Sequence, residues 1–161
     1  MPPPPRPAPP TRPHEDLTAL FERERAPMLR LAVLLVGSAQ QAEEVVQDAF
    51  EAVGQRWGSL DRPGGYLRTC VVNGSRAVLR RRELERRHAV AQAAPPVEAP
   101  ERLIELRDAL DRLGERQRIV IVLRYFVDVP DDEIAAALGC RPATVRSLAH
   151  RALAVLREEL S

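Results

Sequence analysis

The chain has 161 residues, room for one ordinary domain or two small ones, and its 24 basic and 23 acidic side chains leave a formal charge of only +1. That balance does not announce nucleic acid by bulk charge, so the placement of charge along the chain carries the information. Only Cys70 and Cys140 are present, far apart and without His or Cys companions at ligand spacing, and no apolar run reaches the roughly 18 to 20 residues of a membrane span, which argues against a disulfide framework, a metal site and membrane insertion. A reducing cytoplasm is the default compartment. Every basic residue is Arg, which a GC-rich coding bias explains as readily as selection, although the planar guanidinium suits phosphate and guanine better than Lys does.

Residues 1–14 are expected to be a disordered tail, because Met1 to Pro13 carries eight prolines where a signal peptide would place an apolar segment. A first helix is expected through Leu17, Leu20, Phe21, Leu29, Leu31, Ala32, Leu34 and Leu35, broken or kinked early by Pro27 and stopped by Gly37. Ser38 then caps a second helix, with Gln41 completing a capping box, and Ala42, Val45, Val46, Ala49, Phe50, Val53 and Trp57 recur on one apolar face. After the Gly- and Pro-containing stretch 58–65, a third helix starts near Tyr66 and runs beyond Arg82. Ala and Pro replace helical periodicity over 89–100, a linker that divides a block at 15–88 from a block at 101–161. Each block is small enough to need a well-packed core or a partner. In the second block a helix is expected around Arg102–Leu113. Another of about eleven residues spans Ile119–Leu123 and its flanks, a capped short helix covers Asp131–Leu138, and a last one runs from Pro142 to about Leu160. The fold class is therefore all-α, two small helical domains joined by a flexible linker.

Three charged features stand out. The segment from Asp131 to Arg146 reads as a helix-turn-helix: Ile134, Ala135 and Leu138 pack the first helix, Gly139 supplies the turn, and Pro142 sits in the first turn of the second. Such a second helix enters the major groove, and Arg141, Thr144, Arg146, Ser147, His150 and Arg151 are its polar candidates, with no acid between Arg141 and Arg157. His150 alone is weak evidence, since an exposed helical histidine without a role is common. The second feature is the run Arg76, Arg80, Arg81, Arg82, Arg86 and Arg87, a nucleic-acid surface or a solvated helix end. Six arginines on a few turns cannot all face one way. The third has the opposite sign: Glu43, Glu44, Gln47, Asp48 and Glu51 on a helix without a basic residue. Helix-dipole logic covers the first acids but not Asp48 and Glu51, so this ridge suits a basic protein surface.

The string Ala42-Glu43-Glu44-Val45-Val46-Gln47-Asp48-Ala49-Phe50 resembles the polymerase-docking helix of extracytoplasmic-function (ECF) sigma factors. Tyr66 to Asn73 with the Arg80 cluster resembles their −10 helix, and Leu110 to Leu156 their −35-reading domain. The resemblance covers about residues 15–161 apart from the linker, and three motifs stand in the family's order. It implies two domains, like sigma region 2 and sigma region 4. Glu43, Glu44, Gln47, Asp48 and Glu51 would meet the β′ clamp helices of core RNA polymerase, whose β subunit is a further partner. The loop 59–65, with Ser59 and Asp61, would receive a flipped base of the −10 element, with Asn73, Arg76, Arg80 and Arg81 on DNA nearby. The helix from Arg141 to Arg151 would hold the −35 duplex, and an anti-sigma protein is an implied partner. Trp57 could stack on melted DNA, but its spacing continues the apolar face and core packing is the better reading. Leu148 stands where many relatives carry Arg, Arg141 replaces the usual Ser cap, and Ala77 replaces a frequent Asp.

No nucleophile–base pair, metal spacing or phosphate loop points to an enzyme, and no cofactor or small-molecule substrate is expected. The remaining rival is a stand-alone helix-turn-helix regulator, which the acidic ridge disfavours because a dimer face would be apolar.

Overall fold

The computed structural model describes residues 16–88 and 101–161, with side chains from residue 104 onward in the second stretch. The expected Pro-rich tail and the whole of the expected linker lie outside the described residues. Every regular element among the described residues is helical: α1 (Leu17–Val36), α2 (Ala39–Gln55), a single 3₁₀ turn (Trp57–Ser59), α3 (Pro63–His88), α4 (Glu101–Asp111), α5 (Glu115–Ile121), α6 (Asp131–Leu138) and α7 (Pro142–Glu159). Helices α1, α2 and α3 pack on one another, and α7 packs on α4, α5 and α6.

The first block is built as its periodicity dictates. In α2 the buried residues are Ala42, Val45, Val46, Ala49, Phe50 and Val53, and in α3 they include Leu67, Val71 and Val72. Burying one such Leu or Val side chain stabilises the fold by about 1.5 to 3 kcal/mol relative to exposure. At Gly74 of α3 an added Cβ would lie 3.0 Å from Val45 Cγ1, so α2 and α3 approach as closely as the missing side chain permits. Trp57 is half-buried and packs against this core, in keeping with its spacing.

Four local expectations are corrected. Pro27 does not break α1, which runs unbroken through it; Leu20 on one side and Met28, Leu31 and Ala32 on the other are all buried in one core, and this burial outweighs one lost backbone hydrogen bond. The capping box at Ser38 is only half formed. Ser38 Oγ accepts from the Gln41 N–H at 3.3 Å, but the Gln41 side chain is taken by the Arg82 guanidinium. Helix α3 begins at Pro63, three residues before Tyr66. Helix α6 has no side-chain cap, since Pro130 holds the capping position and Asp131 turns to Arg124 at 3.3 Å; three acids in its first turn complement the helix dipole instead. Ser38→Ala should lower the unfolding free energy by about 1 kcal/mol, read as a drop in denaturant midpoint at unchanged slope.

The second block holds an element that periodicity did not reveal. Beyond Ile121 the helix widens into a π turn over Val122–Phe126, which keeps Val122 and Leu123 buried and leaves Tyr125 and Phe126 about half exposed. Asp128 follows with a φ of 55°, and the Val129 N–H returns to the Leu123 carbonyl at 2.9 Å. Between α6 and α7, Gly139 takes a φ of 64°, a conformation open to glycine at little cost, and thereby sets the turn of the helix-turn-helix.

The two blocks do not stand apart. Their buried apolar residues form one continuous cluster, with α1 against the π turn and α3 against α5. Each block is thus the partner that its small core called for.

Candidate protein and nucleic-acid interfaces

The apolar face of α2 is turned inward, so its polar residues are forced outward. Glu43, Glu44, Gln47, Asp48 and Glu51 are all exposed, spaced at three and four residues along one side of the helix. No basic side chain shares α2 with them. The ridge ends beside an aromatic pair: Phe21 of α1 meets Phe50 with ring centroids 4.9 Å apart, and Arg25 lies 5.9 Å above Phe21.

The expected −10 residues are distributed over a longer surface. Ser59 and Asp61 are exposed in the segment before α3, where Ser59 Oγ donates to the Arg56 carbonyl at 2.9 Å. Asn73, Arg76 and Arg80 follow on one stripe of α3, with Arg80 about 25 Å along the helix from its start. The structure therefore aligns these residues and does not gather them into a pocket. Arg81 is exposed on a different side, a hundred degrees or so around the axis. Arg82 turns inward, donating to the Val36 carbonyl and to Gln41, so it belongs to the fold rather than to a free surface. Arg76 is half-buried and engaged by Glu115 of α5, whose other carboxylate oxygen lies 3.7 Å from Arg80.

On α7 the expected −35 residues present a coherent face. Arg141, Arg146, Ser147, His150 and Arg151 are exposed and Thr144 is half-buried, while Val145, Ala149, Ala152 and Leu156 point to the core. Arg146, Ser147, His150 and Arg151 line one shallow open depression. Arg141 occupies the capping position without a side-chain hydrogen bond; Pro142 carries no N–H, and the Thr144 and Val145 N–H groups donate to the Arg141 carbonyl at 2.9 and 3.2 Å. Leu148 is half-buried against the core, which explains why it is apolar here.

Sequence reasoning missed the seam between the blocks. Arg118 is only 8% exposed; its Nε donates to the Leu110 carbonyl at 2.9 Å, and Nη1 reaches the Leu35 carbonyl at 3.3 Å and Asp111 at 3.3 Å. Arg107 lies so close to Gly37 that a Cβ there would overlap its guanidinium. Burial lowers the pKa of Arg118, as it does that of Arg82, with nearby guanidinium groups adding to the effect and Asp111 opposing it. The one signal in the sequence is an arginine placed directly before the apolar run 119–123. Across the same seam Arg68 of α3 pairs with Glu133 of α6 at 2.6 Å. Cys70 and Cys140 are half-buried free thiols, the former with its pKa raised by burial. No cluster of three metal-ligating side chains and no helix long and apolar enough to cross a membrane occurs among the described residues.

An acidic ridge, an arginine-bearing helix and a helix-turn-helix, in that order on an all-helical frame, agree with what is found in known proteins. Residues 20–85 match sigma-70 region 2 and residues 103–156 match sigma-70 region 4. The chain is 36% identical over 140 residues to the RNA polymerase sigma-E factor of Streptomyces coelicolor, covering 83% of this chain and 79% of that protein. It is 31% identical over 156 residues to the ECF RNA polymerase sigma factor SigL of Mycobacterium tuberculosis, covering 88% and 86%. Among solved structures it is similar in fold to the sigma factor RpoE, crystallised with the anti-sigma factor NepR from Bartonella quintana, with a TM-score of 0.75, 22% identity, and coverage of 91% of this chain and 97% of that one. The chain belongs to the sigma-70 family of RNA polymerase sigma factors, in its extracytoplasmic-function group.

Proposed function

We propose that this chain brings core RNA polymerase to its promoters through three separate surfaces. The block 15–88 docks the polymerase through Glu43, Glu44, Gln47, Asp48 and Glu51 on the β′ clamp helices, and takes the −10 element through Ser59, Asp61, Asn73, Arg76, Arg80 and Arg81. The block 101–161 holds the −35 duplex through Arg141, Thr144, Arg146, Ser147, His150 and Arg151. The carrying observation is the segregation of charge on exposed faces: acids without bases on α2, bases without acids on α7 up to Arg157. An acidic ridge repels DNA and complements a basic protein surface, whereas the α7 face releases counterions from phosphates.

The role is recognition and assembly in the cytoplasm, without catalysis by the chain itself. An anti-sigma protein is a fitting regulator, because RpoE, which shares this fold, was crystallised with one. A stand-alone helix-turn-helix regulator fits less well, since it leaves the α2 ridge without a purpose.

The test is direct. Mixed with sigma-free core polymerase, the folded chain should co-elute with it and yield transcripts that depend on a cognate promoter. A folded chain that forms no complex at micromolar concentration would end this reading.

A further inference from the structure

Burying a guanidinium is costly unless counter-charge or acceptors come with it, so the partners of the buried arginines are informative. Among the described residues Arg68, Arg76, Arg82, Arg107, Arg118 and Arg124 are partly or fully buried. Four of them have a carboxylate: Arg68 pairs with Glu133, Arg76 with Glu115, Arg118 with Asp111 and Arg124 with Asp131. Arg82 donates only to neutral acceptors, the Val36 carbonyl and Gln41. Arg107 has less still, for its Nε is buried without any hydrogen-bond partner.

These two arginines without an acid share one place. Leu35, Val36 and Gly37, at the end of α1, are each met by a guanidinium from a different helix. Arg118 of α5 donates to the Leu35 carbonyl, and Arg82 of α3 to the Val36 carbonyl. Arg107 of α4 lays its guanidinium over Gly37, where a side chain would begin. Arg86, exposed one turn beyond Arg82, lies within electrostatic reach of the group. Asp111 and Glu115 are the acids that bear on it, and Glu115 is already engaged by Arg76. The end of the α1 dipole adds only about half a negative charge. Four guanidiniums against Asp111 and that dipole leave a surplus of roughly two to three positive charges.

We propose that this cluster is a binding site for a small phosphoryl anion, with Arg82, Arg86 and Arg107 as its donors and Arg118 as a fixed charge behind them. A multiply charged anion supplies the missing charge, and its several oxygens engage more than one guanidinium fork at once, which a single carboxylate does not. Arg86 is open to solvent, Arg82 and Arg107 are half-buried, and Arg118 is nearly buried, so the cluster deepens from the surface inward. A free anion can follow that path, whereas a continuous nucleic-acid strand cannot bring its backbone to the inner guanidiniums. The site is separate from the surfaces assigned to polymerase and promoter, and its test needs neither.

The test is thermal unfolding of the full chain at fixed pH and ionic strength, with sodium chloride exchanged for inorganic phosphate, diphosphate or adenosine diphosphate. At a hundred times its dissociation constant, an anion that binds only the folded chain should raise the melting temperature by about 5 to 10 °C, saturably. The nucleotide separates two sources of the same group: tighter binding than diphosphate marks a nucleotide ligand, equal or weaker binding a free anion. Arg107→Gln relieves repulsion and breaks no hydrogen bond among the described residues, so in chloride it should melt at or above the parent. Yet it should bind diphosphate at least tenfold more weakly. Arg86→Gln, on the exposed rim, should weaken binding in the same direction, and serves if the Arg107 variant folds poorly. Arg62→Gln removes the same charge just before α3, about 30 Å along that helix from Arg82, and should bind diphosphate as the parent does. The absence of a saturable shift overturns the site. So does a shift undiminished in both the Arg107 and Arg86 variants, or one that falls as far in Arg62→Gln.

Discussion

Asp48→Lys combined with Glu51→Lys is expected to weaken binding to core RNA polymerase by a hundredfold or so while leaving the fold intact. Both side chains are exposed on the outward face of α2, and neither makes an ion pair within the described residues. Nothing in the fold is therefore broken by replacing them, and the change in stability should stay within about 0.5 kcal/mol. At a charged interface each close pair couples by about 1.5 kcal/mol or more, so turning two attractions into repulsions removes at least about 3 kcal/mol, which is a factor of about a hundred in affinity. The measurement is a titration of labelled core polymerase at two salt concentrations, with thermal unfolding of the variant in parallel. The defect should shrink as salt rises, because screening weakens the attraction in the parent and the repulsion in the variant alike. Unchanged affinity in a folded variant would place the docking surface elsewhere.

Arg118→Ala is expected to cost about 3 kcal/mol of stability. Arg118 is nearly buried and satisfies the Leu110 and Leu35 carbonyls, one in its own block and one in the other. Truncation leaves both acceptors without that donor, at about 1 to 3 kcal/mol for each one that water does not reach, and opens space where the guanidinium lay. Relief of repulsion with Arg86 and Arg107 offsets part of this. For a chain of this size the loss corresponds to a fall in melting temperature of about 6 to 12 °C. A fall of less than 2 °C would mean that the seam does not hold the blocks together in solution.

The helices, their inward faces and the helix-turn-helix were legible because they follow local rules. A 3.6-residue apolar period orients α2 whatever surrounds it, and Gly139 between two short amphipathic runs admits one turn. The exposed candidates on α2 and α7 could be named for the same reason, since a side chain opposite the core face has only solvent to meet. What local rules could not give were contacts between residues far apart in the chain. Gln41 reads as the second half of a capping box until Arg82, 41 residues away, claims its oxygen. Pro27 reads as a break until the packing on either side of it is known. Arg76 and Arg80 read as free arginines until α5 brings Glu115 across 39 and 35 residues of chain. The π turn at Val122–Phe126 escaped because an apolar run of this kind fits an α-helix equally well, and only its packing shows where the extra residue goes.

Gly74 joins the two roles of the first block in a single measure of distance. The helix proposed to face the enzyme and the helix proposed to face the promoter rest against each other there, with Val45 filling the gap. A side chain at that point would meet Val45 Cγ1 at 3.0 Å, and where that methyl cannot yield by a few tenths of an ångström the helices part and tilt by a small angle. That angle is multiplied by a lever reaching to Arg80, so the alignment of melted DNA with the polymerase would be set, in part, by one absent methyl group in the interior.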